Sequence, residues 1–60
     1  MVDTIFTIEE TAKILKIKPR TVRAWIEQGK IKSFKLGEHL VRIHEIDLQD
    51  FIDRARESSK

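Results

Sequence analysis

The sequence predicts a small α+β domain: a helix-turn-helix carrying a two-stranded β-hairpin wing and a C-terminal helix. Three observations carry this expectation. Apolar residues recur at helical spacing in three separate segments. The first two segments are joined only by Lys16-Ile17-Lys18, the connection length of a helix-turn-helix. Between the second and third the period changes to two apolar-alternating runs around Gly37-Glu38, which reads as a hairpin. With 60 residues, one domain spanning 1–60 is the expectation. A chain this size buries only about 60% of its unfolded surface, so modest stability is expected.

In chain order, Met1 to Ile5 reads as a short lead-in. Thr7-Ile8-Glu9-Glu10 fits a capping box, with the Thr7 hydroxyl accepting from the Glu10 N–H and the Glu10 carboxylate reaching back to Thr7. Phe6 stands at the staple position, but its partner there is the polar Thr11, so the staple is weak. A first helix from about Ile8 to Leu15 is expected to bury Ile8, Ala12 and Leu15, with Ile14 beside them. Ala12 is small enough for a second helix to cross closely. Lys16 sits where a left-handed residue, often Gly, ends a helix, at up to about 1 kcal/mol relative to Gly. Ile17 is expected to plug the corner.

The second helix, about residues 19–28, starts on Pro19, which suits the first helical position because its missing N–H would have no partner there. Val22, Trp25 and Ile26 form its apolar stripe. Arg20, Arg23 and Ala24 lie mostly outside the stripe and Glu27 at its far edge. Gly29 is expected to terminate the helix as its left-handed residue. The wing, about residues 31–43, is expected to run from Lys30 to Leu36 and from His39 to His44, turning at Gly37-Glu38. Lys32, Phe34 and Leu36 would share one face, opposite Ile31, Ser33 and Lys35. In the second run Val41 and Ile43 would oppose Leu40 and Arg42. A lone hairpin is marginal and must lean on the helices. The last helix, Glu45 to about Arg56, has a stripe of Leu48, Phe51, Ile52 and Ala55. Its acids Glu45, Asp47 and Asp50 come first and Arg54 and Arg56 last, an order that suits the helix dipole. Glu57 to Lys60 is expected to fray.

Charge is segregated. Net charge is +2, but Lys13 to Arg42 holds nine basic residues against Glu27 and Glu38, a net +7, and the remainder a net −5. A cationic block between acidic flanks suggests a polyanion footprint. There is no cysteine, hence no disulfide and no thiolate metal site. No apolar run approaches the ~18 residues of a membrane span, and no signal peptide is visible. A cytoplasmic location is expected.

A catalytic reading finds no constellation to rest on. There is no Gly-rich phosphate loop. His39 and His44, on a predicted strand and its exit, lack the i, i+4 spacing of a helical ligand pair, so structural or surface roles are expected and neither a metal nor a cofactor. Adjacent Glu9 and Glu10 point apart on a helix, and the cap explains Glu10. Trp25 reads as core rather than as a base-stacking platform. The binding reading uses the rest. The second helix of such a unit lies in the major groove. Arg20 and Arg23 project from it, and arginine suits phosphate and guanine edges. Thr21 and Ala24 are small enough to let the helix approach base edges. Lys16 and Lys18 flank the helix N-terminus, where backbone N–H groups favour a phosphate. Lys32, Lys35, His39 and Arg42 line a thin hairpin able to follow a backbone or enter a minor groove.

With those residues in hand, the chain resembles the excisionase family of MerR-like winged helix-turn-helix domains from about Phe6 to Ile52. The matching pieces are Phe6-Thr7-Ile8-Glu9-Glu10-Thr11-Ala12 with Leu15, then Arg20-Thr21-Val22-Arg23-Ala24-Trp25-Ile26. Gly29-Lys30-Ile31, Lys35-Leu36-Gly37, Arg42-Ile43, Asp47-Leu48 and Phe51-Ile52 follow in order. The resemblance implies non-enzymatic, sequence-selective binding of double-stranded DNA, as a recombination directionality factor or a small transcription regulator. It implies Arg20, Thr21 and Arg23 as recognition-helix contacts and Lys35 and Arg42 as wing contacts. A recombinase or integrase, or further copies on adjacent sites, are the implied partners, with a bacterial, phage or mobile-element origin. Lys16 and Glu38 depart from the family pattern, and an acid at the wing tip would approach phosphates. The competing expectation is a protein-interaction module docking through the Trp25 region or the acidic last helix.

Overall fold

The ends of the first two helices are set by local chemistry, and they hold the rest in register. In the computed structural model, which describes residues 4–58, the order is β1 (Ile5–Phe6), α1 (Ile8–Leu15), α2 (Pro19–Glu27), β2 (Phe34–Lys35), β3 (Val41–His44) and α3 (Glu45–Ser58). Both arms of the capping box are present. The Glu10 amide donates to Thr7 Oγ1 at 3.0 Å and the Thr7 amide to Glu10 Oε1 at 2.9 Å. At the other end Lys16 takes φ 60, and the amides of Ile17 and Lys16 donate to the carbonyls of Ala12 and Lys13. This pair of bonds is the Schellman closure. The same closure ends α2 at Gly29, φ 78, with Lys30 donating to Trp25 and Gly29 to Ile26.

The expected elements are present, with additions. Ile5 is not lead-in: β1 pairs antiparallel with β3, Ile5 opposite His44 and Phe6 opposite Ile43. The sheet therefore has three strands in the order β1-β3-β2. Two residues bounded by a helix cap give too short a period to read from sequence. The Glu45 amide, donating to the Thr4 carbonyl at 2.8 Å, ties the start of α3 to this strand. Met1 to Asp3 of the expected lead-in lie outside the described residues.

The wing turns one residue later than expected. Phe34 opposes Arg42, Lys35 opposes Val41, and the Leu36 amide donates to the Leu40 carbonyl at 2.9 Å. The loop is thus Gly37-Glu38-His39 rather than Gly37-Glu38, and His39 leaves the strand for the tip. A one-residue slip swaps the faces of a strand. Here the faces are pinned by Ile43, fully buried opposite Phe6. The first run contracts to Phe34–Lys35 because Ile31 is spent on the core, 2% exposed, before the strand begins.

The core draws on every helix and the central strand: Ile8 and Ala12 from α1, Val22 from α2, Ile31, Ile43 from β3 and Leu48 from α3. Thr11, outside the expected apolar stripe, is fully buried, and its hydroxyl is satisfied by donating to the Thr7 carbonyl at 2.9 Å. The buried face of α1 is therefore Ile8, Thr11 and Ala12. Leu15 is half-buried, and Ile14 lies 46% exposed outside the stripe. On α3, Phe51 and Ile52 are half-buried against the core, but Ala55 is exposed because the helix has run past the sheet. Helix α3 continues to Ser58, beyond the expected end and through Glu57, which was expected to fray. Ser59 and Lys60 lie outside the described residues.

Candidate nucleic-acid interface

Helix α2 is aimed by its apolar side. Val22 is fully buried, and Trp25 and Ile26 pack against the core. At 100° per residue the opposite direction is held by Arg20, Ala24 and Glu27, with Arg23 on one shoulder and Thr21 on the other. Arg20, Arg23 and Glu27 are exposed, and Thr21 and Ala24 half-buried. Trp25 does not join that outward face. Its ring lies 5.4 Å from that of Phe51, and Lys30 Nζ sits 5.8 Å from its centroid. Lys30, one of the cationic block, is thus drawn toward Trp25 rather than toward the outward face of α2.

The shoulder bearing Arg23 meets the wing. Arg23, His39 and Arg42 line one cleft of about 150 Å³ with Ile8, Glu9 and Val41. An adjoining recess is lined by Arg23 again, with Lys35, Ser33 and Glu27. Arg42 and His39 of the wing are therefore brought into a common cleft with Arg23 of α2, although 19 positions separate Arg23 from Arg42 in the chain. Arg42 is half-buried and donates from Nη1 to the Val41 carbonyl at 2.8 Å, which orients its guanidinium. Behind it, Phe34 and His44 stack with ring centroids 4.6 Å apart, and His44 Nδ1 is buried without a partner among the described residues.

The remaining predicted site residues lie around this centre. Arg20 and Ala24 occupy the outward face of α2. Lys16 and Lys18 are exposed in the turn before it, where the Lys18 carbonyl accepts from the amides of Thr21 and Val22. Lys32 is exposed in the segment leading to β2. Two acids were missed. Glu9 lines the cleft with Arg23 and Arg42, and Glu27 lines the recess with Lys35. Glu27 was findable, since it lies seven residues after Arg20 on the same helical face. Glu9 was not, because only the fold brings α1 to the wing. Among the described residues no three His, Cys, Asp or Glu side chains gather as a metal site. No helix there is long and apolar enough to cross a membrane.

Residues 5–56 match the family model described as a helix-turn-helix domain. The chain belongs to that family. Over 37 residues it is 38% identical to an excisionase of Mycobacterium phage D29, an alignment covering 62% of this chain and 66% of that protein. The helix-turn-helix relationship and the likeness to an excisionase, both read from the sequence, are thereby borne out. No solved structure matches it significantly.

Proposed function

We propose that this helix-turn-helix protein binds double-stranded DNA sequence-selectively and acts as an excisionase-like recombination directionality factor. The observation that carries the reading is the meeting of Arg23 with Arg42 and His39 across one cleft, beside the outward Arg20 face of α2. Helix α2 enters the major groove and the wing follows the adjacent backbone and minor groove. Thr21 and Ala24 let the helix approach, Lys16 and Lys18 take phosphates at its N-terminus, and Lys32 and Lys35 extend the contact along the wing. Lys and Arg release counterions from phosphates, which supplies most of the affinity. So small a module covers little DNA, so adjacent copies or a recombinase partner complete the working complex. The packing of Trp25 on Phe51 weighs against the alternative of a protein-docking site built on that indole.

The test is a fluorescence-anisotropy titration on randomised duplex across salt concentrations, followed by sequencing of the bound pool. A steep fall of log affinity with log salt and an enriched motif are expected. An absence of binding at low salt would overturn the reading.

A further inference from the structure

We propose that the cleft between α2 and the wing seats one backbone phosphodiester of the bound duplex. Arg23 and Arg42 clamp it with His39 at the rim, and Arg20, not Arg23, is the arginine that reads bases. The inference rests on the DNA-binding reading above. A helix in a major groove and a hairpin in the next minor groove have one DNA strand running between them, because that strand is the wall separating the grooves. In this protein the space between helix and hairpin is the cleft lined by Arg23, His39, Val41 and Arg42. What passes there is a phosphate, and the residues lining it include two arginines, whose guanidinium forks fit phosphate oxygens.

The geometry separates the two arginines of α2. Arg20 lies on the outward axis of the helix with Ala24, the direction in which base edges are met. Arg23 lies on the shoulder and lines both recesses next to the sheet, so its reach is toward the strand wall. Arg42 spends Nη1 on the Val41 carbonyl and keeps its other donors for an anion. The first turn of α1 adds to the site. Thr7 caps the Glu10 amide, and Ile8 and Glu9 of that turn line the cleft. Glu9 is the counterweight. Glu9 lines the same cleft, and among the described residues it makes no ion pair with Arg23 or Arg42 within 4.0 Å. Two guanidinium charges and one carboxylate leave a net +1, matched to a phosphodiester monoanion, and the acid lowers affinity for polyanions in general.

Methylphosphonate scanning of the selected duplex tests this, with each phosphate neutralised in turn against wild type, Arg23→Ala, Arg20→Ala and Glu9→Gln. Arg23 and Arg20 are exposed, so their loss leaves the fold intact, which a thermal melt verifies. Neutralising one particular phosphate is expected to weaken wild type by roughly five- to tenfold at about 0.1 M salt and to weaken Arg23→Ala by clearly less, because only Arg42 then remains on it. Arg23→Ala should weaken cognate and scrambled duplex equally and reduce the salt slope by about 1, whereas Arg20→Ala should reduce the ratio between them. Glu9→Gln should tighten binding to both duplexes by about threefold. Inorganic phosphate alone, at tens of millimolar, should not compete beyond its ionic strength, because a single clamped phosphate is bound only as part of the duplex. Arg23→Ala that loses cognate binding selectively, or that stays as sensitive to every neutral linkage as wild type, overturns the clamp while leaving DNA binding standing. Wild type that binds no duplex overturns both.

Discussion

The indole of Trp25 lies against the ring of Phe51, centroids 5.4 Å apart and planes tilted by 37°. This contact fastens α2 to α3 on the side facing away from Arg20, so the outward face of α2 is aimed by a pairing made behind it. Aromatic pairs of this tilted kind add to plain area burial. Truncating either ring also removes apolar contact with the core, against which both are packed. Phe51→Ala is expected to cost about 2–3 kcal/mol, somewhat below a fully buried phenylalanine because Phe51 is half-buried. A domain of this length has roughly 3–9 kcal/mol in total. The melting midpoint should therefore fall by more than about 10 °C. Trp25 is the single tryptophan, so its emission should shift to the red in the same variant. An unchanged midpoint would show that the pairing contributes nothing.

Among the described residues two hold left-handed backbone, and only one is a glycine. Lys16 has φ 60 and Gly29 φ 78, at equivalent Schellman positions of α1 and α2. Lys16→Gly is expected to stabilise by about 1 kcal/mol, raising the midpoint by about 4–8 °C. Gly29→Ala should shift it by a similar amount in the opposite direction. A Cβ there meets nothing within 4 Å, so the loss is purely that of backbone conformation. Calorimetry on the two variants checks sign and size together. If Lys16 also contacts a phosphate, Lys16→Gly gains stability and loses DNA affinity at once.

The capping box of α1 supports a testable non-additivity. Thr7→Ala removes the acceptor of the Glu10 amide, and Glu10→Ala removes the acceptor of the Thr7 amide. Each is expected to cost about 1 kcal/mol in urea titrations. Since each partner positions the other, the double variant should lose less than the sum. Thr11 complicates nothing here, because its hydroxyl donates to the Thr7 backbone carbonyl, which both variants keep.

How far the fold was legible follows from where the forces are local. Both helix ends, the Pro19 start and the change of period after Gly29 are written in contiguous residues, and they appear where the sequence places them. The register of the wing is not local. Gly37-Glu38 is compatible with a two-residue turn, and only the demand that Ile43 face the core opposite Phe6 selects the three-residue loop that puts His39 at the tip. Thr11 was left out of the expected buried set for a related reason. Its polarity argues for the surface, but a carbonyl four residues earlier satisfies its hydroxyl inside. Of the candidate site, the cationic side of α2 was readable from helical spacing. The grouping of Arg23 with Arg42, and the intrusion of Glu9, depend on how α1, α2 and β3 are assembled.

The wing tip offers a way to separate charge from contact. Leu36 and Leu40 face each other across the loop, closed by the hydrogen bond from the Leu36 amide to the Leu40 carbonyl, yet they are 60% and 52% exposed. Neither belongs to the core or packs against it. Replacing both with Ser should move stability by no more than about 0.5 kcal/mol per site, as for surface positions generally. No charge is removed, so the salt slope of DNA binding should stay at its wild-type value. Apolar side chains at such a tip have favourable partners in sugars and base steps of a minor groove. The expected outcome is therefore a weaker affinity with an unchanged slope, read by anisotropy at several salt concentrations beside a thermal melt. An affinity that does not move would place the tip clear of the groove and leave Lys35, His39 and Arg42 as the extent of the wing contact.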